Sequence, residues 1–283
     1  MKTGTVSFVC ALLLGAGIAY AQPAVVEAVQ YPAWLERGGN AVPLTPGTPL
    51  QAQDRLRTGA NARVQLKMAE GSAVRLGENA QFVFDRSDDR GVFRATLSVL
   101  AGAFRFTTDA LRRGQKRDIA IKVMNVTAGI RGTDLWGKST GERDLVCLLE
   151  GRISVGAEGH PTVTLDQPLD FYQKPRDGAP SVAKVDQKQI DAWSRETAIS
   201  SDGPAARAGG KWRVMAASFR TRDEALALNR TLRGGGYPSE VTPREGAFAV
   251  VVAGLAGESE ARALMANLRT VSGILVPVVI PAP

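Results

Sequence analysis

Trp212-Arg213-Val214-Met215-Ala216-Ala217-Ser218-Phe219 decides the fold, because thirty-six residues further on the chain reads Phe248-Ala249-Val250-Val251-Val252-Ala253-Gly254-Leu255. The correspondence runs on without a gap: Glu224, Ala225, Leu228 and Leu232 fall on Glu260, Ala261, Leu264 and Leu268. Apolar sits over apolar and acid over acid, the mark of one unit built twice. Each copy opens with an alternating run of strand type and continues with apolar residues at helical spacing. Thr221, with Glu224 three positions on, forms a capping-box signal at the first helix start, and Gly234-Gly235-Gly236 stops that helix. In the second copy Gly257 takes the cap position and Ser272-Gly273 the stop. Tyr237 to Pro243 and Ile274 to Ile280 return as strands. Two such halves predict a four-stranded antiparallel sheet with both helices on one face and the other face open. Alternation places Arg213, Met215, Ala217, Ala249, Val251 and Ala253 on the open side.

Upstream, residues 24–172 form short alternating runs broken by Gly, Asn, Asp and Pro. Val64, Leu66 and Met68 share one side of a run, as do Val74 with Leu76, Phe82 with Phe84, and Phe104 with Phe106. Ile119-Ala120-Ile121-Lys122-Val123 has the same rhythm, and half-buried strands give this pattern. Glu70-Gly71 and Glu150-Gly151 sit where tight hairpins are expected. Long helical periodicity is missing, so an all-β sandwich or barrel-like domain is predicted.

At 283 residues the chain has room for two domains, and 44% hydrophobic with 22% charged residues is a globular composition. Lys2 precedes an apolar run from Val6 to Ile18, and Ala19-Tyr20-Ala21 fits a small-x-small cleavage site, so residues 1–21 read as a secretory signal peptide. The run is too short to span a bilayer, and no later stretch is apolar enough, so no stable membrane span is expected after cleavage. Cys10 lies inside the apolar run, and Cys147 alone survives maturation, which rules out an intrachain disulfide. Its setting, Leu145-Val146-Cys147-Leu148-Leu149, reads as a buried thiol; the single histidine, His160, sits in a turn-like Gly159-His160-Pro161.

The formal charge of +7 becomes +6 without Lys2, with Arg112, Arg113, Lys116 and Arg117 partly clustered. Such a balance favours anionic partners: nucleic acid, lipid headgroups or acidic wall polymers. An RNA-binding sheet of the topology above needs stacking aromatics on its central strands, and the open positions here carry none; export also removes the RNA. Asp88-Asp89 reads as a solvated hairpin tip beside Arg86 and Arg90. No nucleophile-base set and no metal cluster appears, so neither enzyme chemistry nor a cofactor is expected.

Residues 174–210 change composition, with Pro175, Pro180 and Pro204 among Gly, Ser and Ala. They read as a linker in which Ile190 and Trp193, within Val185 to Thr197, mark a short helix docked on the first domain. The tail from Ser200 to Gly210 is expected to be flexible, letting the two domains act semi-independently.

Two family resemblances follow from these motifs. Asp54-Arg55-Leu56-Arg57-Thr58-Gly59, Glu70-Gly71-Ser72, Gly129-Ile130-Arg131-Gly132-Thr133-Asp134-Leu135 and Leu149-Glu150-Gly151-Arg152-Ile153-Ser154-Val155 resemble the FecR domain, a module known from periplasmic regulators. In its motif Arg131, Gly132 and Thr133 read as mostly structural: Gly132 for a bulge or close backbone approach, Thr133 for a strand, Arg131 to pair with an acid such as Asp54 or Asp134. Trp212 to Phe219, Asp223-Glu224-Ala225, Leu232, Gly236-Tyr237 and Phe248 to Leu255 resemble the SPOR domain. That resemblance implies a ferredoxin-like, RNP-like βαββαβ fold and binding of peptidoglycan glycan strands stripped of their stem peptides. It points to Arg213, Met215, Ser218, Phe219, Arg220, Glu240, Thr242 and Val251 as glycan-contact positions, Phe219 serving packing as well. Met215 and Ala249 stand where the family has Gln and Arg.

The expected organisation is therefore a signal peptide (1–21), a FecR-like all-β domain (22–173), a linker with a short helix (174–210) and an α+β SPOR domain (211–283). It implies a non-catalytic periplasmic envelope protein, septal in the SPOR reading, with peptidoglycan as partner and envelope or division proteins as further partners. The alternative is a periplasmic scaffold or FecR-type regulator, with the aliphatic face around Met215 and Val251 docking a protein.

Overall fold

The structure, a computed structural model, describes residues 23–89, 92–108, 117–200, 203–271, 274 and 276–281, without the side chains of 87–89, 117 and 131. The expected leader, the cluster at Arg112, Arg113 and Lys116, the side chains of Asp88 and Asp89, and the Ser272-Gly273 stop lie outside the described residues.

The first part is built from β1 (Ala24–Gln30), β2 (Ala33–Arg37), β3 (Asn40–Pro43), β4 (Asp54–Thr58), β5 (Arg63–Met68), β6 (Ala73–Leu76) and β7 (Gln81–Asp89). It continues with β8 (Val92–Thr107), β9 (Arg117–Val123), β10 (Val126–Ser139), β11 (Arg143–Ala157), β12 (Val163–Leu165), β13 (Asp170–Pro175) and β14 (Ser181–Lys184). After these come α1 (Gln187–Thr197), β15 (Ala205–Arg207), β16 (Trp212–Phe219), α2 (Arg222–Gly234), β17 (Ser239–Arg244), β18 (Ala247–Leu255), α3 (Glu258–Leu268) and β19 (Val278–Pro281).

Strand alternation does what the sequence predicts. Val64, Leu66, Val74, Leu76, Phe82, Phe84, Phe104, Phe106, Ile119, Ile121 and Val123 are all buried in one apolar cluster. Each large side chain moved from water into such a cluster contributes roughly 1.5–3 kcal/mol, which holds the two layers together without a disulfide. One layer runs β1, β5, β6, β8, β10, β11, β13, β14. The other runs β3, β2, β4, β7, β8, β9, β10, β11, β12, with β8 and β9 parallel. The long strands β8, β10 and β11 bend and serve both layers, giving an all-β sandwich closed along one side in the manner of a barrel.

Those bends correct one expectation. Glu70-Gly71 does make the hairpin between β5 and β6, where Gly71 N–H donates to the Met68 carbonyl at 3.0 Å. Glu150-Gly151 does not turn the chain; it lies inside the continuous β11. Gly151 (φ +91°) faces Gly132 of β10 (φ +62°), where the ladder shifts register between Arg131 and Asp134. A β-carbon on Gly151 would stand 2.3 Å from the Gly132 carbonyl oxygen, so the two glycines let a bulged pair of strands cross from one layer to the other.

The acids considered for Arg131 have other partners. Arg37 grips the buried Asp54 with two bonds, Nε to Oδ1 at 2.7 Å and Nη2 to Oδ2 at 2.6 Å. Arg105 holds Asp134 in the same fashion at 2.9 and 2.7 Å. The Arg131 side chain is outside the described part; Thr133 is buried and donates from Oγ1 to the Arg152 carbonyl at 3.2 Å.

Helix α1 forms as Ile190 and Trp193 suggest, capped by Asp186, whose carboxylate accepts from Gln189 N–H at 2.8 Å. It covers a second apolar cluster on the outer face of the sandwich, made by Ala103, Trp136, Leu145 and Cys147. The rings of Trp193 and Trp136 stack in parallel with centroids 4.3 Å apart. Cys147 is fully buried there, as its sequence setting predicts, and burial pushes its thiol up to about 12.

The expected flexible tail is the second correction. Residues 205–207 are strand β15, paired with β1 through Ala28, Val29 and Gln30 and with β18 through Ala206 and Leu255. A short Ala-Ala segment, fully buried, thus joins the sheet of the β-domain to that of the C-terminal unit. Around it, Ala33 N–H donates to the Gly236 carbonyl at 3.2 Å, and the Tyr31 and Tyr237 rings lie 6.3 Å apart. The free edge of β1 and the end of β18 past its pairing with β17 supply the hydrogen bonds that order these residues, and this outweighs their weak intrinsic strand preference. No helix among the described residues is long and apolar enough to cross a membrane.

Candidate functional site

The duplicated unit folds as β16-α2-β17-β18-α3-β19, with sheet order β17, β18, β16, β19, all antiparallel. Matched positions of the two copies do matched work. Val214 and Val250, Ala225 and Ala261, and Leu232 and Leu268 are each completely buried between the sheet and the two helices. The capping box is present: Thr221 Oγ1 accepts from Glu224 N–H, and the Glu224 carboxylate accepts from Thr221 N–H at 3.3 Å. Both helices pack on one face, so the opposite face stays open.

On that face the pairing register sets two rows of side chains. Met215, Val251 and Glu240 lie side by side on β16, β18 and β17; Ser218, Ala249 and Thr242 form the next row. Between them the pairing of β16 slips at Met215/Ala217. This bulge reverses the alternation, turning Ala217 and Phe219 onto the core and bringing Ser218 to the open side. Ala217, expected on the open face, is therefore on the core side. Phe219 is a packing residue here, and Arg220 is exposed beyond the strand end.

A groove of about 430 Å³ runs along this face. Its floor is Ala249 and Val251, at 1% and 5% exposure, and both lie outside the apolar core cluster. Thr242, Pro243 and Arg244 flank it from β17, and Arg213 and Ile280 flank it from β16 and β19. Arg213 donates from Nη2 to the Pro281 carbonyl at 3.2 Å, and its buried Nε–H has no partner. Arg244 reaches across β18 to the Met215 sulfur at 3.9 Å. Neither guanidinium has an ion-pair partner among the described residues. Of the residues named from sequence, the groove thus unites Arg213, Thr242 and Val251, with Met215, Ser218 and Glu240 beside it.

Sequence reasoning missed Arg244. Its signal was its place next to Glu245-Gly246, the tip of the β17–β18 hairpin, from which a long side chain can lie back over the sheet. Chemically the groove offers two planar guanidinium groups without ion-pair partners among the described residues, above an apolar floor, an arrangement suited to a carboxylate-bearing chain whose body has apolar faces.

Comparison with protein families agrees with the two-part architecture. The FecR protein family matches residues 54–154, and the SPOR domain family matches residues 208–281. No curated protein matches the chain. Two crystal structures of a candidate anti-sigma factor from Parabacteroides distasonis ATCC 8503, at 1.65 and 2.50 Å resolution, are similar to it. The first is 9% identical, with TM-score 0.42, covering 69% of this chain and 97% of that one. The second is 11% identical with the same TM-score, covering 77% and 91%. The chain carries a FecR domain and, C-terminal to it, a SPOR domain.

Proposed function

We propose that this chain is a non-catalytic periplasmic envelope protein that holds peptidoglycan glycan strands on the open sheet face of its SPOR domain, presented by a FecR domain that serves interaction. Both families are binding or regulatory modules, and the SPOR family is associated with peptidoglycan. The observation that carries the reading is the pair of guanidinium groups without ion-pair partners among the described residues, Arg213 and Arg244, bordering a groove with the buried apolar floor Ala249 and Val251. Glycan strands stripped of stem peptides expose free lactyl carboxylates along a chain of pyranose rings. The carboxylates match the arginines, and the ring faces match the floor.

Thr242 and Ser218 supply hydroxyl groups on the same row for sugar hydroxyls. Glu240, exposed on the edge strand, offers an acceptor for sugar hydroxyls at that end. Co-sedimentation of the mature chain with isolated sacculi, before and after amidase stripping, tests the reading: enrichment on stripped sacculi is expected.

The apolar run Met215, Ala249 and Val251 favours a second reading, in which the same face docks a protein in the envelope. The junction made by β15 gives that reading substance, because it holds the two domains as one surface.

A further inference from the structure

Helix α1 covers only part of the outer sandwich face. Beside it, a cleft of about 770 Å³ opens between the helix and strands β10, β11, β13 and β14. That volume lies within the range of small-molecule sites. Its apolar walls are Leu145, Phe171, Val185 and Trp193. Trp193 is fixed from behind by its stack on Trp136 and from the side by Phe171 at 5.4 Å, so the wall is formed before any ligand arrives.

The charged groups lining the cleft are lopsided: Lys138, Arg143 and Lys184 against Glu142. Two of the cations are held by acids that do not line it, Lys138 by Glu196 at 2.9 Å and Lys184 by Asp170 at 2.8 Å. Among the described residues the Arg143 side chain meets only Glu142, at 3.4 Å, and with side-chain exposures of 49% and 82% that pair is weak. An arriving anionic group can take the Arg143 fork at little cost while an apolar body lies on Trp193 and Phe171.

We infer that this cleft is a binding site for a small amphipathic anion, an apolar or aromatic body ending in a carboxylate or sulfonate. The aromatic wall fits the body, and Arg143, whose exposed pair with Glu142 is weak, fits the anionic end. The site belongs to the α1 side of the β-domain and is independent of the SPOR groove.

The probes are 1-anilinonaphthalene-8-sulfonate and its uncharged relative N-phenyl-1-naphthylamine, titrated by fluorescence into the mature chain. Arg143→Glu, at an exposed position, is expected to weaken the sulfonate by about tenfold and the neutral probe by less than about twofold. Ala183 is exposed on β14 and pairs with Phe171, so Ala183→Trp fills the cleft without entering the core and is expected to abolish binding of both. Arg213→Glu with Arg244→Glu should leave both probes unaffected. The assignment is overturned if Ala183→Trp binds the sulfonate as the parent does, or if Arg143→Glu weakens the two probes equally or not at all.

Discussion

The indole nitrogen of Trp34 donates to the Gly234 carbonyl at 3.0 Å, across two hundred residues of sequence, so that a side chain of the β-domain caps the C-terminal end of α2. Gly236, two residues on, adopts φ +82°, and a β-carbon there would meet the same indole ring at 2.7 Å. The ring also carries the Arg57 guanidinium at 4.3 Å from its centroid. Trp34→Phe keeps most of the ring contact and removes the donor, and should cost about 1 kcal/mol. Trp34→Ala removes both, and calorimetry of residues 22–283 is expected to resolve two unfolding transitions where the parent shows one. A single transition in both proteins would mean that the coupling does not depend on Trp34, and two transitions in the parent would mean that the domains are not coupled.

Asp54 is 1% exposed and depends on Arg37. Arg37→Met leaves a buried carboxylate with only the Gln51 N–H bond at 2.7 Å, and is expected to cost about 3 kcal/mol in urea unfolding. Adding Asp54→Asn should restore much of that loss. A double variant as unstable as the sum of the two single ones would show that the pair acts independently.

Gly151→Ala meets both an unfavourable φ and the Gly132 carbonyl, so a loss of about 2 kcal/mol or more is expected. Gly141→Ala, with open space around it and an ordinary φ, should stay within about 0.5 kcal/mol of the parent. Equal effects at the two positions would remove the bend argument.

Burial raises the Cys147 thiol from 9.0 to about 12, so the folded state holds a proton that the unfolded chain releases first. Its contribution to stability is fully present below about pH 9 and declines as the pH rises towards 12. At pH 8 the native chain should resist alkylation by iodoacetamide and react at once in guanidinium, as mass spectrometry would show. Rapid native labelling would contradict the buried placement.

Met215→Gln separates the two functional readings. It restores a polar group beside Arg244 and should strengthen retention on stripped sacculi about threefold if sugars bind there, within the range of one added hydrogen bond. If the face docks a protein, the same change should weaken partner capture and leave sacculus retention unchanged.

The repeat was legible because eight paired positions kept one spacing and one chemistry, which fixed the strand and helix faces together. Val64, Leu66, Phe82 and Phe84 were legible for the same reason, since alternation in a two-layer β fold maps onto burial directly. Four features escaped. Gly151 carries the composition of a turn, and only its partner strand reveals that it bends a continuous β11. Ala205 and Ala206 have no pattern of their own; β1 and β18 make them a strand. The bulge at Met215/Ala217 changes which residues line the groove, and local sequence gives no period for a single inserted residue. Arg244 was missed because its role comes from folding back over the sheet, from a hairpin tip that reads as solvated loop.

The central claim rests on the Arg213 and Arg244 groove, and co-sedimentation of the mature chain with amidase-stripped sacculi tests it most directly. The parent is expected to be retained on stripped sacculi well above untreated ones. Arg213→Glu with Arg244→Glu, at strand positions outside the core, is expected to lower that retention by about tenfold or more while leaving the unfolding temperature within a few degrees of the parent. Equal retention of parent and double variant, or no retention of the parent on either preparation, would contradict it.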